Sequence, residues 1–178
     1  MTRADKIKIQ NKKIEEKLNN LEKFDKDERS SFKYWYNHWL AYNLVAMKLR
    51  AWKFKYLFHD WYKPWLRLFM PYEKLQKFHR KHARHHIEWL EEKIKKNGSW
   101  KRTPKYLNKF DFKGAAIDWE CSRYTKYAAQ LTAYEEYRRI IFQEYFKKRF
   151  PEIYHGCYEM FSYRFYDALE KLNLIPID

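Results

Sequence analysis

Glycine, cysteine and long apolar runs are scarce in this chain of 178 residues. With three glycines, the chain has no glycine-rich loop of the kind that cradles phosphates. Two cysteines, Cys121 and Cys157, are too few for a disulfide framework or a thiolate zinc site, and they fit a reducing compartment. The sequence shows neither a bilayer-spanning apolar run nor a signal peptide, so we expect a cytoplasmic protein.

The same shortage of glycine and proline favours helices over strands. Long stretches are rich in Lys, Glu, Leu, Ala, Tyr and Trp, and the length suggests one domain with a core of its own. Aromatic residues make up 21% of the chain, so we expect rings to build much of that core. The prediction is an all-α, single-domain helical bundle, with a charged N-terminal helix in residues 1–28 and the main domain in residues 29–178.

Capping signals place the predicted helices. Pro71 suits a helix start, Asp111 can cap the helix that follows it, and Thr132 with Glu135 fits a capping box. The predicted helices cover residues 4–24, 31–50, 52–62, 71–96, 111–130 and 132–149, and Pro151 opens a last helical region that breaks near Gly156.

The charge balance is strongly basic, with 38 Lys and Arg against 23 Asp and Glu and a net charge of +15. This excess attracts nucleotides, nucleic acids or acidic protein surfaces, although a merely solvated cationic surface is an equal alternative. Two basic segments, residues 99–110 and 144–149, supply the candidate nucleic-acid contacts. These are Lys101, Arg102, Lys105, Lys147, Lys148 and Arg149.

Four side chains that can chelate a metal occur along the chain in the order His38, His59, Asp60 and Asp118. Each lies on a segment predicted to be helical. Adjacent residues of a helix point about 100° apart, so His59 and Asp60 could straddle one cation. Two imidazoles and two carboxylates suit a divalent cation, which can activate water for attack on a phosphate. The interpretation requires the four residues to meet in space.

Two further stripes accompany these residues. His79, His82 and His86 are predicted to share one buried helix face, where they are either hydrogen-bonded core histidines or part of a site; three together favour a site. A second stripe of small and polar residues surrounds Asp118, and it either leaves room for an ion or is an exposed polar face. Its members are Asp111, Ala115, Asp118, Ser122 and Thr125.

The order and surroundings of these residues resemble the HD superfamily of metal-dependent phosphohydrolases, and in particular a small HD-like branch frequent in phage and bacterial genomes. The matching words are Asn37-His38-Trp39, His59-Asp60-Trp61-Tyr62-Lys63, His85-His86-Ile87-Glu88-Trp89 and Asp118-Trp119-Glu120-Cys121-Ser122-Arg123. The resemblance covers about residues 34–130. It implies an HD-like bundle in the cytoplasm of a bacterium or a phage-infected cell.

The resemblance also implies roles. His38, His59, Asp60 and Asp118 would be the primary ligands of a divalent transition metal, for which Mn, Fe, Co, Ni and Zn remain open. His82, His85 and His86 would bind a second metal or contact a phosphate leaving group. Lys63 and Arg123 would offset phosphate charge. The implied function is hydrolysis of a nucleotide or another phosphoester.

Two alternatives remain open. The first is a non-catalytic basic protein that keeps an HD-like core and binds nucleic acid or a nucleoprotein complex, for example a phage-encoded inhibitor of host defence. Interleaved Tyr, Trp and Lys residues can stack bases and hold phosphates, which favours this alternative. The second is purely structural: the histidines are core polar residues and the basic surface is solvated.

Overall fold

The computed structural model describes residues 1–97 and 103–176, and the regular structure in these ranges is helical. The α-helices there are α1 (Arg3–Asn19), α2 (Phe32–Lys48), α3 (Lys63–Arg67), α4 (Tyr72–His82), α5 (Ile87–Asn97), α6 (Thr103–Leu107), α7 (Phe112–Thr125), α8 (Ala133–Ile141), α9 (Gln143–Arg149) and α10 (Pro151–Lys171). The predicted all-α class is confirmed. Within the described ranges, no helix is at once long and apolar enough to cross a bilayer.

The chain forms two compact units. Unit 1 comprises Met1–Leu68 and Ile117–Leu131, and unit 2 comprises Phe69–Ala116 and Thr132–Asp178. The division differs from the predicted one at residue 28, because α1 belongs to unit 1 together with α2. Each unit is described on its own below.

In unit 1, α1 packs on α2 through Ile14 and Leu18, which are both buried. Glu15, on the same helix, accepts hydrogen bonds from the ammonium of Lys48 and from the hydroxyl of Tyr124, the latter at 3.1 Å. Burial works to raise the pKa of Glu15, but the bond and charge of Lys48 outweigh it, so the pKa is lowered. One carboxylate therefore ties α1 to both α2 and α7.

The C-terminal end of α7 is fixed by a short backbone pairing in the same unit. The N–H of Phe24 donates to the carbonyl of Thr125 at 3.0 Å, and the N–H of Tyr127 donates to the carbonyl of Phe24 at 3.4 Å. This isolated bridge holds the last turn of α7 beside the segment that connects α1 to α2.

The predicted helix over residues 52–62 is wrong. After α2, the chain forms a 3₁₀ helix (Phe54–Phe58), and His59 then adopts an extended conformation with ψ of 119°. Side chains of α2 capture the backbone carbonyls that a longer helix would use: Trp39 Nε1 donates to Leu57 O at 2.8 Å, and Trp35 Nε1 donates to Asp60 O at 2.9 Å. The result is a turn that presents His59 and Asp60 to α2.

In unit 2, the single helix predicted over residues 71–96 is also wrong, because α4 ends at His82 and α5 begins at Ile87. The carbonyl of Arg84, between the two helices, accepts a hydrogen bond from the N–H of Asp111 at 2.9 Å. This long-range bond stabilises the break. The helix predicted over 132–149 is likewise two helices, with extended backbone at Phe142 between them.

Other local predictions for unit 2 hold. Thr132 and Glu135 form the capping box, and Asp111 accepts the N–H of Gly114 at 3.1 Å at the start of α7. The last helix kinks at Cys157, one residue beyond the predicted break. The core is built on rings, as expected, and the largest buried ones include Phe146, Phe161 and Phe165.

The start of α10 rests on a carboxylate. Glu91 of α5 accepts the backbone N–H groups of Glu152 and Ile153, each at 2.9 Å, and so satisfies two N-terminal donors of the helix. Burial raises the pKa of Glu91, and the two backbone donors only partly oppose this.

Candidate metal centre

The structure brings His38, His59, Asp60 and Asp118 together inside unit 1, where all four are buried. His38 Nε2 lies 3.0 Å from Asp118 Oδ1, and His59 Nε2 lies 3.6 Å from the same oxygen. His59 Nε2 is also 3.6 Å from Asp60 Oδ2. One ligand atom from each of His38, His59 and Asp60 lies within 4.8 Å of the others. The four residues are thus one connected cluster.

Three separate segments deliver these side chains: α2 carries His38, the turn after the 3₁₀ helix carries His59 and Asp60, and α7 carries Asp118. Because the turn is not helical, the predicted placement of His59 and Asp60 on a helix surface is wrong, although both still belong to one group of possible ligands. Asp60 has φ of 58°, in the left-handed region, which aspartate enters more readily than most residues. This conformation turns the chain at the His59-Asp60 pair.

Aromatic rings of α2 hold the histidines in place. Tyr42 stacks on His59 with ring centroids 3.6 Å apart and an interplanar angle of 7°. Tyr34 stacks on His38 at 5.7 Å. Because Tyr34, His38 and Tyr42 follow each other at intervals of four residues, they lie on one face of the helix. The stacking restricts the imidazole planes before any ligand arrives.

The charges of the cluster are partly paired. The ammonium of Lys63 contacts Asp60 Oδ2, and Asp118 bonds to His38, which limits the cost of burying the two carboxylates. Burial lowers the pKa of His38, and the hydrogen bond with Asp118 opposes this only in part. A lowered pKa favours the neutral imidazole, which is the form that binds metals.

From Ala115 onwards the polar stripe on α7 is buried rather than solvent-exposed, and beside it lies a residue that the sequence interpretation missed. Cys121 Sγ lies 3.7 Å from His38 Nδ1, and with His38 and Asp118 it forms a second group of possible ligands. Burial raises the pKa of the Cys121 thiol well above its ordinary value. Thr125 Oγ1 also approaches His38 Nδ1, at 3.5 Å. Thr125 belongs to the predicted stripe, whereas Cys121 does not, and the sequence signal for Cys121 is only its position one turn after Asp118.

A second missed residue is a cation beside the cluster. Ser122 donates its hydroxyl to the carbonyl of Asp118 at 2.9 Å, and Lys126 Nζ donates to Ser122 Oγ at 2.7 Å. Because Ser122 and Lys126 follow Asp118 at intervals of four, the ammonium lies on the same side of α7. Lys126 therefore adds positive charge near Asp118.

The spacing of the donor atoms suits a metal ion. Bonds of about 2.1 Å to nitrogen or oxygen place neighbouring ligand atoms about 3.0 Å apart in an octahedron and about 3.4 Å apart in a tetrahedron. Three of the observed separations fall in or near this range: 3.0 Å for His38–Asp118 and 3.6 Å for both His59–Asp118 and His59–Asp60. These buried groups could hold a metal ion.

Unit 2 contains a cluster of another kind, made of His79, His85 and His86. Ring nitrogens of the three lie within 4.8 Å of one another, and His79 Nε2 is 2.7 Å from His86 Nε2. His79 is buried, whereas His85 and His86 are half-buried. The break between α4 and α5 creates this cluster, because it folds residues 85 and 86 back onto the last turns of α4.

The prediction that His82 shares a buried face with His79 and His86 is wrong. His82 is exposed, its Nδ1 lies 2.7 Å from the carbonyl of Phe78, and its ring stacks on that of Phe78 at 4.0 Å. The helix ends at His82, so residue 86 no longer follows it at one turn of an α-helix. His79, His85 and His86 form the trio instead.

The two cations assigned to phosphate have different surroundings. Lys63 contacts Asp60 inside the cluster. Arg123 bonds to Glu120 at 2.8 Å and to the hydroxyl of Tyr124 at 2.8 Å. Burial works to lower the pKa of Arg123, but the charge of Glu120 and the contacts with Tyr124 raise it overall. Arg123 thus serves a network beside the cluster, and its contact with phosphate stays a prediction.

The predicted nucleic-acid contacts are partly described. Lys105 is exposed on α6, and Lys147, Lys148 and Arg149 are exposed at the end of α9. Arg149 also reaches Glu88, 3.6 Å away. The predictions for Lys101 and Arg102 fall outside the described residues.

Comparison with protein-family models, with curated proteins and with solved structures found no match to this chain.

Proposed function

We propose that this chain is a metal-dependent phosphohydrolase with an HD-like arrangement of ligands, acting on a nucleotide or another phosphoester. The observation that carries the proposal is the meeting of His38, His59, Asp60 and Asp118 in one buried cluster. Nothing local in the chain requires residues 80 positions apart to converge with this chemistry. A site that gathers two imidazoles and two carboxylates away from water is well suited to a divalent cation.

In this proposal, His38, His59, Asp60 and Asp118 hold a divalent transition metal, and mixed nitrogen and oxygen donors are compatible with Mn, Fe, Co, Ni and Zn. When bound, such an ion lowers the pKa of a coordinated water and polarises a phosphoryl group. The protein's own contribution is orientation. Tyr42 fixes the plane of His59, and the indole of Trp35 holds the carbonyl of Asp60.

Lys63 is the cation that we assign to the substrate. Its ammonium already contacts a ligand carboxylate, so it lies where the negative charge of a phosphate would meet the cluster. Lys126, bonded to Ser122 beside Asp118, adds a second positive charge on the α7 side. Both cations would offset the repulsion between an anionic substrate and the two buried carboxylates.

His79, His85 and His86 form the second part of the proposal. Three imidazoles within 4.8 Å suit a second transition metal, because neutral ring nitrogens are good ligands for borderline cations. Contact with a phosphate leaving group is the other role that we keep for His85 and His86. The exposed His82 takes no part.

Metal content is the direct test. Protein purified without a histidine tag and analysed by plasma mass spectrometry should contain a stoichiometric transition metal and should hydrolyse a member of a panel of nucleotides, cyclic nucleotides and simple phosphoesters. Asp60→Ala should lose both metal and hydrolysis, whereas Asp27→Ala, at an exposed aspartate of unit 1, should lose neither. A native protein that neither contains nor takes up metal would refute the proposal.

Non-catalytic binding of nucleic acid is a second candidate, favoured by the exposed cations of α9. Lys147 lies over the ring of Tyr154 at 5.7 Å and Lys148 is exposed beside it, so cations and rings share one surface. This function predicts binding whose affinity falls steeply with salt and which needs no metal. Affinity that is indifferent to salt would exclude it.

A further inference from the structure

Large aromatic side chains of unit 1 face solvent on both sides of the His59-Asp60 pair. Phe54, Trp61 and Trp65 expose 68%, 54% and 64% of their surface, and Trp52 and Phe58 are exposed as well. We call these five residues the aromatic face. Phe58 and Trp61 directly flank the two ligands in the chain. Exposed apolar surface of this extent usually marks a binding site.

Helix α2 extends the aromatic face. Its exposed Phe32 contacts Trp35 with ring centroids 5.1 Å apart, and its exposed Tyr36 contacts Trp39 at 6.0 Å. Trp35 and Trp39 are the two indoles that donate to the carbonyls of residues 60 and 57. The rings of α2 and those of the following turn are therefore parts of one surface that adjoins the turn at His59 and Asp60.

The exposed charges of residues 50–68 all have one sign. Arg50, Lys53, Lys55 and Arg67 are exposed in residues 50–68, and the one acidic residue of that segment, Asp60, is buried. Cations alternate with rings in Trp52-Lys53-Phe54-Lys55, and Arg67 follows Trp65 by two residues. A partner that complements this surface carries regular negative charge and offers flat apolar groups between the charges.

We propose that the aromatic face binds single-stranded nucleic acid, with bases stacked on its rings and phosphates held by Lys53, Lys55 and Arg67. Single strands offer the required repeat, because each nucleotide combines one unpaired base with one phosphate. The proposal rests on the proposed function in one respect: it makes an oligonucleotide, rather than a free nucleotide, the substrate of the metal cluster. Rings that flank His59 and Asp60 would then present a phosphodiester to the ligands.

A lipid surface is the competing partner for rings mixed with lysines, and the arrangement favours nucleic acid. Lys53 and Lys55 lie on either side of Phe54, so inserting that ring into a bilayer would carry two ammonium groups towards the apolar layer. Against a nucleic-acid strand, the same alternation places each cation within reach of a phosphate. In residues 50–68, exposed rings outnumber exposed aliphatic side chains, which also favours stacking with bases.

Binding can be measured without catalysis. Full-length protein in EDTA, which keeps the probe intact, is titrated against a fluorescein-labelled oligothymidylate while anisotropy is recorded at several salt concentrations. The same probe in duplex form, thymidine monophosphate, and vesicles of phosphatidylcholine with phosphatidylserine serve as comparisons. We expect the single strand to bind at least about tenfold more tightly than the duplex, with log affinity falling linearly with log salt concentration.

Matched variants locate the site. Phe54→Ala and Trp61→Ala should each weaken single-strand binding at least about fivefold. Phe142→Ala removes a phenylalanine of unit 2 with nearly the same exposure, 67% against 68%, and should leave binding unchanged. Lys53→Gln should reduce the salt slope by about one, whereas Lys74→Gln, at an exposed lysine of unit 2, should not.

The proposal is overturned if Phe54→Ala and Trp61→Ala bind like the wild type, if duplex binds as tightly as single strand, or if vesicles bind and oligonucleotides do not. Metal-dependent hydrolysis of small phosphoesters without oligonucleotide binding would overturn this inference alone. Oligonucleotide binding by a protein that neither holds metal nor hydrolyses any phosphoester would overturn the proposed function and leave the aromatic face as a binding site.

Discussion

The two clusters of possible metal ligands, one in each unit, are assembled in opposite ways. In unit 1, His38 and Asp118 are 80 positions apart and meet only because three segments pack together. In unit 2, His79 and His86 are seven positions apart and meet because one helix breaks. The first cluster depends on the tertiary fold of its unit, and the second depends on one local reversal of the chain. Loss of folding should therefore disperse the first cluster more completely.

The clusters also differ in chemistry. The cluster of unit 1 combines imidazoles with two buried carboxylates, so it gains from a cation that balances negative charge. The cluster of unit 2 offers ring nitrogens alone, and two of its members are half-exposed. A site with acidic oxygens accepts harder cations such as Mn²⁺, whereas an all-imidazole site favours Zn²⁺, Ni²⁺ or Cu²⁺.

The largest effect is expected at the residue that joins two histidines in unit 1. Asp118→Asn keeps the shape of the side chain but removes the charge that faces His38 and His59. We expect the metal affinity of this cluster and the hydrolytic kcat/KM to fall more than about 100-fold. Metal content and steady-state rates measure this, with Asp167→Asn, at a half-buried aspartate of unit 2 that pairs with Lys171, as the control. Unchanged rates would show that the cluster of unit 1 is not the catalytic one.

The next effect concerns the stability of unit 1. Tyr42→Ala removes a buried ring that stacks on His59, and it should lower the free energy of unfolding by about 3–5 kcal/mol. Tyr163→Ala, at a tyrosine that is 72% exposed, should change it by less than about 0.5 kcal/mol. Urea unfolding followed by circular dichroism gives both values. Equal losses of unfolding free energy in the two variants would contradict the prediction that burial and stacking of the Tyr42 ring stabilise unit 1.

The third prediction sharpens the contrast between neighbouring histidines in unit 2. His86→Ala should weaken Zn²⁺ or Ni²⁺ binding by the imidazole cluster about 10- to 100-fold, because one of three ligands is lost. His82→Ala should leave it unchanged, since His82 is directed to Phe78 instead. Calorimetric titration in the Asp118→Asn background isolates this cluster. Equal losses of metal affinity in the two variants would instead support the predicted single helix, in which His82 and His86 share one face.

The smallest expected effect compares carboxylates of the two units. The pKa of Glu15 is lowered in the folded state, so acidification below its ordinary value of 4.5 makes the unfolded chain bind the proton first and costs stability. Glu15→Gln should reduce that acid-induced loss by about 0.5 kcal/mol, a modest value because the pair is partly exposed.

Glu91 of unit 2 has the opposite sign. Its pKa is raised, so the folded protein takes up the proton first as the pH falls towards 4.5, and this stabilises it. Glu91→Gln lacks that gain and should lose more stability than the wild type over the same interval. Unfolding curves at pH 4 to 7 measure both variants, and slopes that change in the same direction would contradict the assignment.

The helical class and several helix ends could be predicted from the sequence because they depend on local chemistry. Pro71 precedes α4, and Thr132 pairs with Glu135 in the predicted capping box. These signals act within one turn of a helix, so the amino-acid order alone contains them. The ring-built core likewise follows from composition.

The breaks could not be predicted, because distant partners cause them. Residues 83–86 include neither glycine nor proline, and the carbonyl of Arg84 leaves the helical pattern to accept the N–H of Asp111. The turn at His59 and Asp60 is held by Trp35 and Trp39 of α2. A periodic pattern cannot show such hydrogen bonds, since they form only after the segments pack.

Some residues of the candidate site could likewise be predicted from the sequence, and others could not. The order of His38, His59, Asp60 and Asp118 was visible in the chain, and the structure brings these residues together. Cys121 was missed although it lies one turn from Asp118, because a lone cysteine in a helix has no distinctive spacing of its own. The second site was predicted to contain His82, His85 and His86, whereas the structure groups His79 with His85 and His86. This difference follows from the unpredicted break between α4 and α5.

The backbone at Asp60, with φ of 58°, places two demands on a single position. Glycine would satisfy the conformation at lower cost, by about 1 kcal/mol, but would abolish the carboxylate. Alanine or glutamate would bear the full steric cost of a positive φ. In a chain whose residue 60 had no ligand role, replacement of aspartate by glycine would raise stability, so aspartate at this position in related chains would favour the proposed ligand role.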